Sequence, residues 1–440
     1  MSFDQAFSLF VLAAVVAALI WGKVRSDVVA LTGAATLLAS GVIRPVEVQA
    51  AFASPALIAL ASLFVIAYAM ELSGLLDAMI ARAVALCQRA GAAGVWIVIA
   101  LCGVASAFLN NTPIVVLAAP VVRDASRSIG LSPKRFLIPL SYVTILGGSC
   151  TLIGTSTNLL VNDMARTAGQ PTFGIFEITA PALAVALAGG IYLFLFGGRL
   201  LGARNGKESE ESGLSTVQAL EGVPDQADGG AGDPRLFATA RPFQPRKAAA
   251  SLLVFVAVVV VAALGWAPIA ASALTGAVVL ILLGVISPDE AYKGLRPEIL
   301  LLIAGMVVIG LSLEISGLAA AATDGLVNGV RGLGPMLALV LFYGVALLLT
   351  EILSNAAVAV LLAPVAVALA ESLTVSPRPF LVGLMLAASA AFATPFGYQT
   401  NVLVFQMGGY RYTDFVRIGL PLNLLTWAVA VATIPMFFPF

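Results

Sequence analysis

Long apolar runs follow one another along nearly the whole chain, at lengths suited to the roughly 30 Å hydrocarbon core of a bilayer. The pattern predicts helices near 5–22, 27–43 and 55–72, followed at about 75–90 by an amphipathic segment lying along the interface. An apolar pair, 93–109 and 112–125, meets at Asn110-Asn111-Thr112-Pro113. A segment at 134–165 is broken at Gly154-Thr155-Ser156-Thr157-Asn158, and 173–199 ends this half. The order then repeats: 250–265, 268–286, 297–314, amphipathic 317–331, a pair 335–352 and 355–370 meeting at Ser354-Asn355, a segment 378–408 broken at 394–401, and 413–437. Between the halves the sequence turns polar and rich in Gly, Pro and acid, the composition of a flexible linker. The chain therefore divides into a first membrane repeat (1–202), a linker (203–247) and a second repeat (248–440).

The repetition extends to wording. LNNTPIVVLAAPVV begins at Leu109 and LSNAAVAVLLAPVA at Leu353, 244 residues later; GGSCTLIGTSTN ends at Asn158 and AAFATPFGYQTN at Asn401, 243 residues later. Each copy sets small polar residues, Gly and Pro inside apolar sequence. A duplicated pair of broken helices points to the binding site of a transporter. If each pair is a re-entrant hairpin, every half has five full crossings, and seven if it is not. Both numbers are odd, so the halves enter the membrane from opposite sides and the repeat is inverted. The expected fold is an all-α polytopic membrane protein.

Composition supports this. The chain has 440 residues, 60% hydrophobic and 10% charged, with a mean hydropathy of +1.03, whereas soluble domains carry about 25% charged residues. Net charge is zero, which gives no basis for nucleic-acid binding. Cys87, Cys102 and Cys150 are far apart in apolar contexts and form no zinc spacing. The absence of histidine excludes Ser-His-Asp and Cys-His catalysis and histidine-ligated metals. The apolar N-terminus lacks a basic region ahead of it and reads as a first span rather than a signal peptide. With both termini outside, 19 of the 23 Lys and Arg fall on the cytoplasmic side, the linker included, against Arg44, Arg166, Arg331 and Arg378 outside. The positive-inside rule prefers that orientation; the expected location is a bacterial-type inner membrane, crossed many times.

A helix broken in the membrane frees backbone carbonyls, which suit sodium, and amides, which with the helix dipole suit anions. The candidate residues are Ser106, Asn110, Asn111, Thr112, Thr151, Thr155, Ser156, Thr157 and Asn158, matched by Thr350, Ser354, Asn355, Thr394, Pro395, Gln399, Thr400 and Asn401. Single polar residues of this kind often serve only to join helices, but matched clusters in both halves point to a site. Glu351 beside the second junction, where the first half has Ala107, is a candidate for cation or proton coupling.

The junctions and the strings GGSCTLIGTSTNLLVNDM and TPFGYQTNVLVFQMGGYRYTDFVRIGLPLNL resemble the divalent-anion:sodium symporter family of the ion-transporter superfamily, most closely its sulfate-permease-like branch. The resemblance implies a homodimer, an elevator-type alternation and two transported sodium ions, about one per repeat. It implies sodium ligands at Ser106, Asn110, Asn111 and Cys150, and at Thr350, Ser354, Asn355 and Ala393. Substrate contacts would fall on Asn110-Asn111-Thr112, Ser354-Asn355, Thr151 and Thr394-Pro395. The family's Ser-Asn-Thr is incomplete in both copies, Asn-Asn-Thr and Ser-Asn-Ala. Branch members often carry soluble domains between the halves; here only the linker stands there. The expected activity is sodium-coupled symport of sulfate or a dicarboxylate. Alternatives are a sodium/proton antiporter or arsenite-type exporter, favoured by Glu351, and, more remotely, a channel or an intramembrane enzyme.

Overall fold

The structure is a computed structural model that describes residues 2–21, 24–75, 78, 91–201, 242–318, 334–395 and 397–440. The two amphipathic segments and nearly all of the linker lie outside the described residues. The first half contains α1 (Phe3–Trp21), α2 (Ser26–Ala39), α3 (Pro45–Phe52), α4 (Pro55–Leu72), α5 (Ala92–Ser106), α6 (Asn111–Ser128), α7 (Lys134–Gly148), α8 (Ser156–Thr167) and α9 (Thr179–Tyr192), the last running on through a π turn (Leu193–Gly197). The second contains α10 (Pro245–Ala263), α11 (Ile269–Leu282), α12 (Pro288–Gly294), α13 (Pro297–Ile315), α14 (Gly334–Thr350), α15 (Asn355–Ser372), α16 (Arg378–Ser389), α17 (Gln399–Gly408) and α18 (Tyr412–Phe437). Among the described residues five stretches are long and apolar enough to cross a membrane: Pro45–Leu72, Thr179–Gly197, Pro245–Ala263, Asn355–Ser372 and Tyr412–Phe437.

The short helices α3 and α12 have no place in the pattern of apolar runs. Both start at a proline, whose fixed φ suits a first helical position. Both carry Glu three residues after the cap: Glu47 accepts the Arg44 N–H at 2.6 Å and Glu290 the Ser287 N–H at 2.8 Å. A Pro-x-Glu string ahead of each third span is the signal that hydropathy alone passes over.

Contacts between helices follow a two-fold exchange of the halves. α2 packs on α13 as α11 packs on α4; α5 on α7 as α14 on α16; α3 on α13 as α12 on α4; and α9 packs on its own counterpart, α18. Without a hydrophobic drive between helices in lipid, close approach depends on small residues. Gly103 and Gly147 supply one such crossing, where a β-carbon on Gly147 would strike the Gly103 backbone. The half-helices after the breaks are crossed over: α8 packs on α15, and α17 packs on α6.

The breaks begin earlier than the Gly-Thr-Ser-Thr-Asn string. α7 stops at Gly148, and the irregular stretch is 149–155; Thr157 and Asn158 already belong to α8. The Thr155 side chain caps α8 by accepting from the Thr157 N–H. In the second half the irregular residues are 390–395 and 397–398, and Gln399, Thr400 and Asn401 open α17. The polar string marks the start of the half-helix, not the gap, because a helix N-terminus needs side-chain oxygens to satisfy its free amides.

Candidate functional site

α5 and α6 meet at a tip beside the first break. The Ser106 hydroxyl donates to Asn111 Oδ1, and the Thr151 hydroxyl reaches across from the break to the Ala107 carbonyl. Thr151 Oγ1 also accepts the Gly154 N–H at 3.1 Å. Asn158 folds back, its amide donating to the Thr151 carbonyl at 2.9 Å. Gly154 has no room for a side chain: a β-carbon there would lie within 2.9 Å of the Ser106 and Ala107 carbonyl oxygens and closer still to that of Gly148. Carbonyl oxygens from both chain segments therefore converge at this point.

The second tip, between α14 and α15, repeats these bonds. The Thr350 hydroxyl lies 2.8 Å from Asn355 Oδ1 and 2.5 Å from the Ala388 carbonyl. Thr394 Oγ1 accepts the Gly397 N–H at 3.1 Å, and the Asn401 amide donates to the carbonyls of Ala391 at 2.8 Å and Thr394 at 3.2 Å. Thr350 has one hydroxyl proton for two close acceptors. The oxygen–oxygen contact left without a proton is the kind of place a small hard cation bridges. Unwound carbonyls at half-helix ends are how transporters hold sodium.

The two tips differ at one charged residue. Where Thr151 bonds the Ala107 backbone, Thr394 donates to Glu351 Oε2 at 2.8 Å. Glu351 Oε1 accepts the Ala393 N–H and the Asn423 amide, each at 2.7 Å. Three donors thus pin this carboxylate to the second break.

The structure brings Ser106, Asn111 and Thr151 together, with Asn158 behind them, and Thr350, Asn355, Thr394 and Glu351 together, with Asn401 behind them. Other expected residues stand differently. Asn110 and Ser354 cap α6 and α15, accepting the N–H groups of Thr112 and Ala357. The Cys150 thiol donates to the Leu146 carbonyl, and its own carbonyl accepts from Thr179. Ala393 enters through its N–H on Glu351, and Pro395 is buried within the second break. Thr112 donates to Gln399 Oε1 at 3.3 Å, across the halves.

Sequence reading missed Tyr398, Ser141 and Asn423. Tyr398 accepts the Asn111 amide at 2.8 Å. Ser141 bonds both Thr400 and Asn401 at 2.8 Å. Asn423 stands alone in the apolar run Leu422–Leu425, a lone amide that was the available signal.

Four half-helix N-termini (α6, α8, α15 and α17) adjoin this region. Their amides and dipoles favour an anion with no formal protein charge required. The arrangement can hold cations on carbonyl and side-chain oxygens beside an anion on amides. It offers no nucleophile–base pair for covalent chemistry among the described residues.

Comparison with known proteins agrees with this geometry. The citrate transporter (CitMHS) family model matches residues 16–375. An uncharacterised transporter of Synechocystis is 25% identical over 559 aligned positions, covering 91% of each chain. That alignment is longer than the present chain, so the relative carries segments this one lacks. Sodium/sulfate cotransporter 2 of Chlamydomonas reinhardtii is 34% identical over 163 residues, 37% of this chain and 18% of its own. The crystal structure of the Alcanivorax borkumensis YdaH transporter superposes with a TM-score of 0.60 at 15% identity, covering 88% of this chain and 85% of the other. The chain is a membrane transporter, not an enzyme, and belongs to the citrate transporter family within the divalent-anion:sodium symporter group of the ion-transporter superfamily.

Proposed function

We propose that this protein is a sodium-coupled symporter of a small divalent anion, sulfate or a dicarboxylate. The observation that carries the reading is the duplicated tip-and-break motif: carbonyl oxygens converge at Gly154 in one copy, and Thr350 has one proton for two close acceptors in the other. One sodium ion per half would sit at Ser106–Asn111 with Gly148, and at Thr350–Asn355 with Ala388. Bound sodium would order each tip and offset the anion's charge, so each ligand strengthens the other's binding. In this reading the tips are re-entrant hairpins, the halves are inverted in the bilayer, both termini face outside and the linker is cytoplasmic. A homodimer would provide the fixed scaffold against which the region around the breaks moves as an elevator. The sodium/sulfate cotransporter relative supports sodium and an oxyanion as cargo. The test is uptake of labelled sulfate and succinate into proteoliposomes with and without a sodium gradient. Sodium-independent flux of both sinks the coupling.

Glu351 favours a second reading, sodium/proton antiport or arsenite-type export. Its carboxylate is held by three donors, an arrangement suited to fixing a helix break more than to shuttling a proton. Vesicle acidification on sodium addition that disappears in Glu351→Gln would support the second reading over the first.

A further inference from the structure

The two crossed contacts between halves are chemically unequal. Where α17 meets α6 and α7, the polar groups are paired: the Asn111 amide with Tyr398 at 2.8 Å, Thr112 with Gln399 at 3.3 Å, and Ser141 with both Thr400 and Asn401 at 2.8 Å. Exchange of the halves carries this contact onto that of α8 with α15 and α16. There the counterparts of Tyr398 and Ser141 are Thr155, too short to reach across as a phenol does, and Met385, which has no hydroxyl. The consequence is seen in three buried polar atoms without a hydrogen-bond partner: Asn355 Nδ2, Thr157 Oγ1 and Asn158 Oδ1. Asn355 and Asn158 are wholly buried and Thr157 is 1% exposed. A buried donor without a partner is costly until something pairs with it.

From this inequality we infer that Tyr398 and Gln399 set substrate choice, by closing the first tip so that the anion is taken by the second, on the Asn355 amide. The inference rests on the symporter reading above and narrows it. A dicarboxylate bridging the two tips needs a donor at each end. Here Asn111 Nδ2 already donates to Tyr398, and the Thr112 hydroxyl already donates to Gln399. Of the two matched buried amides, Asn111 and Asn355, only that of Asn355 is uncommitted. A compact tetrahedral divalent oxyanion can be served from one tip, so the geometry selects sulfate over succinate. Tyr398 acts here through size and reach: its ring is buried against the tip while its hydroxyl holds the Asn111 amide away from substrate.

The test is the thermal shift of the purified full-length protein with sulfate or succinate, each with sodium and with choline in its place. Wild type is expected to respond to sulfate in sodium and to need far more succinate. Tyr398→Thr, which installs the residue found at the matched position of the first half, and the milder Tyr398→Phe and Gln399→Ala should each move the sulfate-to-succinate affinity ratio toward succinate. The shift should be on the order of tenfold or more for Tyr398→Thr, as for other single pocket contacts. An unchanged ratio in Gln399→Ala and in whichever Tyr398 variants keep the wild-type melting temperature without ligand overturns the inference while leaving symport intact. So does a wild type that binds both anions equally in sodium. No sodium-dependent response to either anion sinks the symporter reading and this inference with it.

Discussion

The Thr394 hydroxyl donates to the Glu351 carboxylate at 2.8 Å, while its counterpart Thr151 donates to a backbone carbonyl. One acidic side chain has been inserted into an otherwise repeated bond. Glu351→Ala leaves the Ala393 N–H, the Thr394 hydroxyl and the Asn423 amide without their acceptor. It should destabilise the fold by about 3 kcal/mol, on the scale for orphaned buried donors. Glu351→Gln keeps an acceptor for Ala393 and Asn423 and should lose less. Melting of the two variants in detergent checks this; equal stability of wild type and Ala would refute it.

Thr350→Val keeps the shape of the side chain and removes the oxygen shared by Asn355 and the Ala388 carbonyl. The concentration of sodium for half-maximal stabilisation should rise about tenfold, corresponding to about 1.4 kcal/mol. Ser106→Ala should do the same at the other tip. A sodium titration of the melting temperature reads both effects, and unaltered titrations would remove these hydroxyls from the cation sites.

Gly154→Ala places a methyl group among the carbonyl oxygens of Ser106, Ala107 and Gly148. Transport should be abolished even in preparations that retain the dispersity of wild type in size-exclusion chromatography. Gly190→Ala is the control for a glycine substitution without a clash: nothing lies within 4 Å of a β-carbon there. Normal uptake by Gly154→Ala would mean that the oxygens do not converge on a working site.

Removal of sodium should lower stability by an amount that grows with the logarithm of the sodium concentration it replaces. Saturation at a hundredfold excess over the dissociation constant contributes about 2.7 kcal/mol per site. If the cations order the anion's seat, as proposed, the stabilisation by sulfate should vanish when choline replaces sodium. Undiminished stabilisation by sulfate in choline would argue for independent sites.

Much of the fold was legible because hydrophobic length and repetition are long-range signals that survive local noise. The four half-helices beside the tips and breaks fall where Asn110-Asn111, Ser354-Asn355 and the two Thr-Asn strings stand. What escaped notice depends on which face a residue presents. Ser141, Tyr398 and Asn423 look like ordinary members of helices or of a break until the halves are docked. The breaks themselves start at Gly148 and Ser389, several residues before the conspicuous polar strings. A helix ends where its carbonyls find other partners, and those partners, Asn158 on Ser149 and Thr350 on Ala388 among them, are remote or on another segment. The small helices α3 and α12 were overlooked because apolar periodicity carries no information about caps.

The crossing of α8 onto α15 and of α17 onto α6 has a genealogical consequence. Neither half furnishes a complete neighbourhood for its own tip; each borrows a half-helix from the other. A single copy of one repeat could complete its tip only against a second copy, and two identical copies would have identical tips. Two copies carried in one chain are free to differ, and Glu351 and Tyr398, matched in the first half by Ala107 and Thr155, are two such differences.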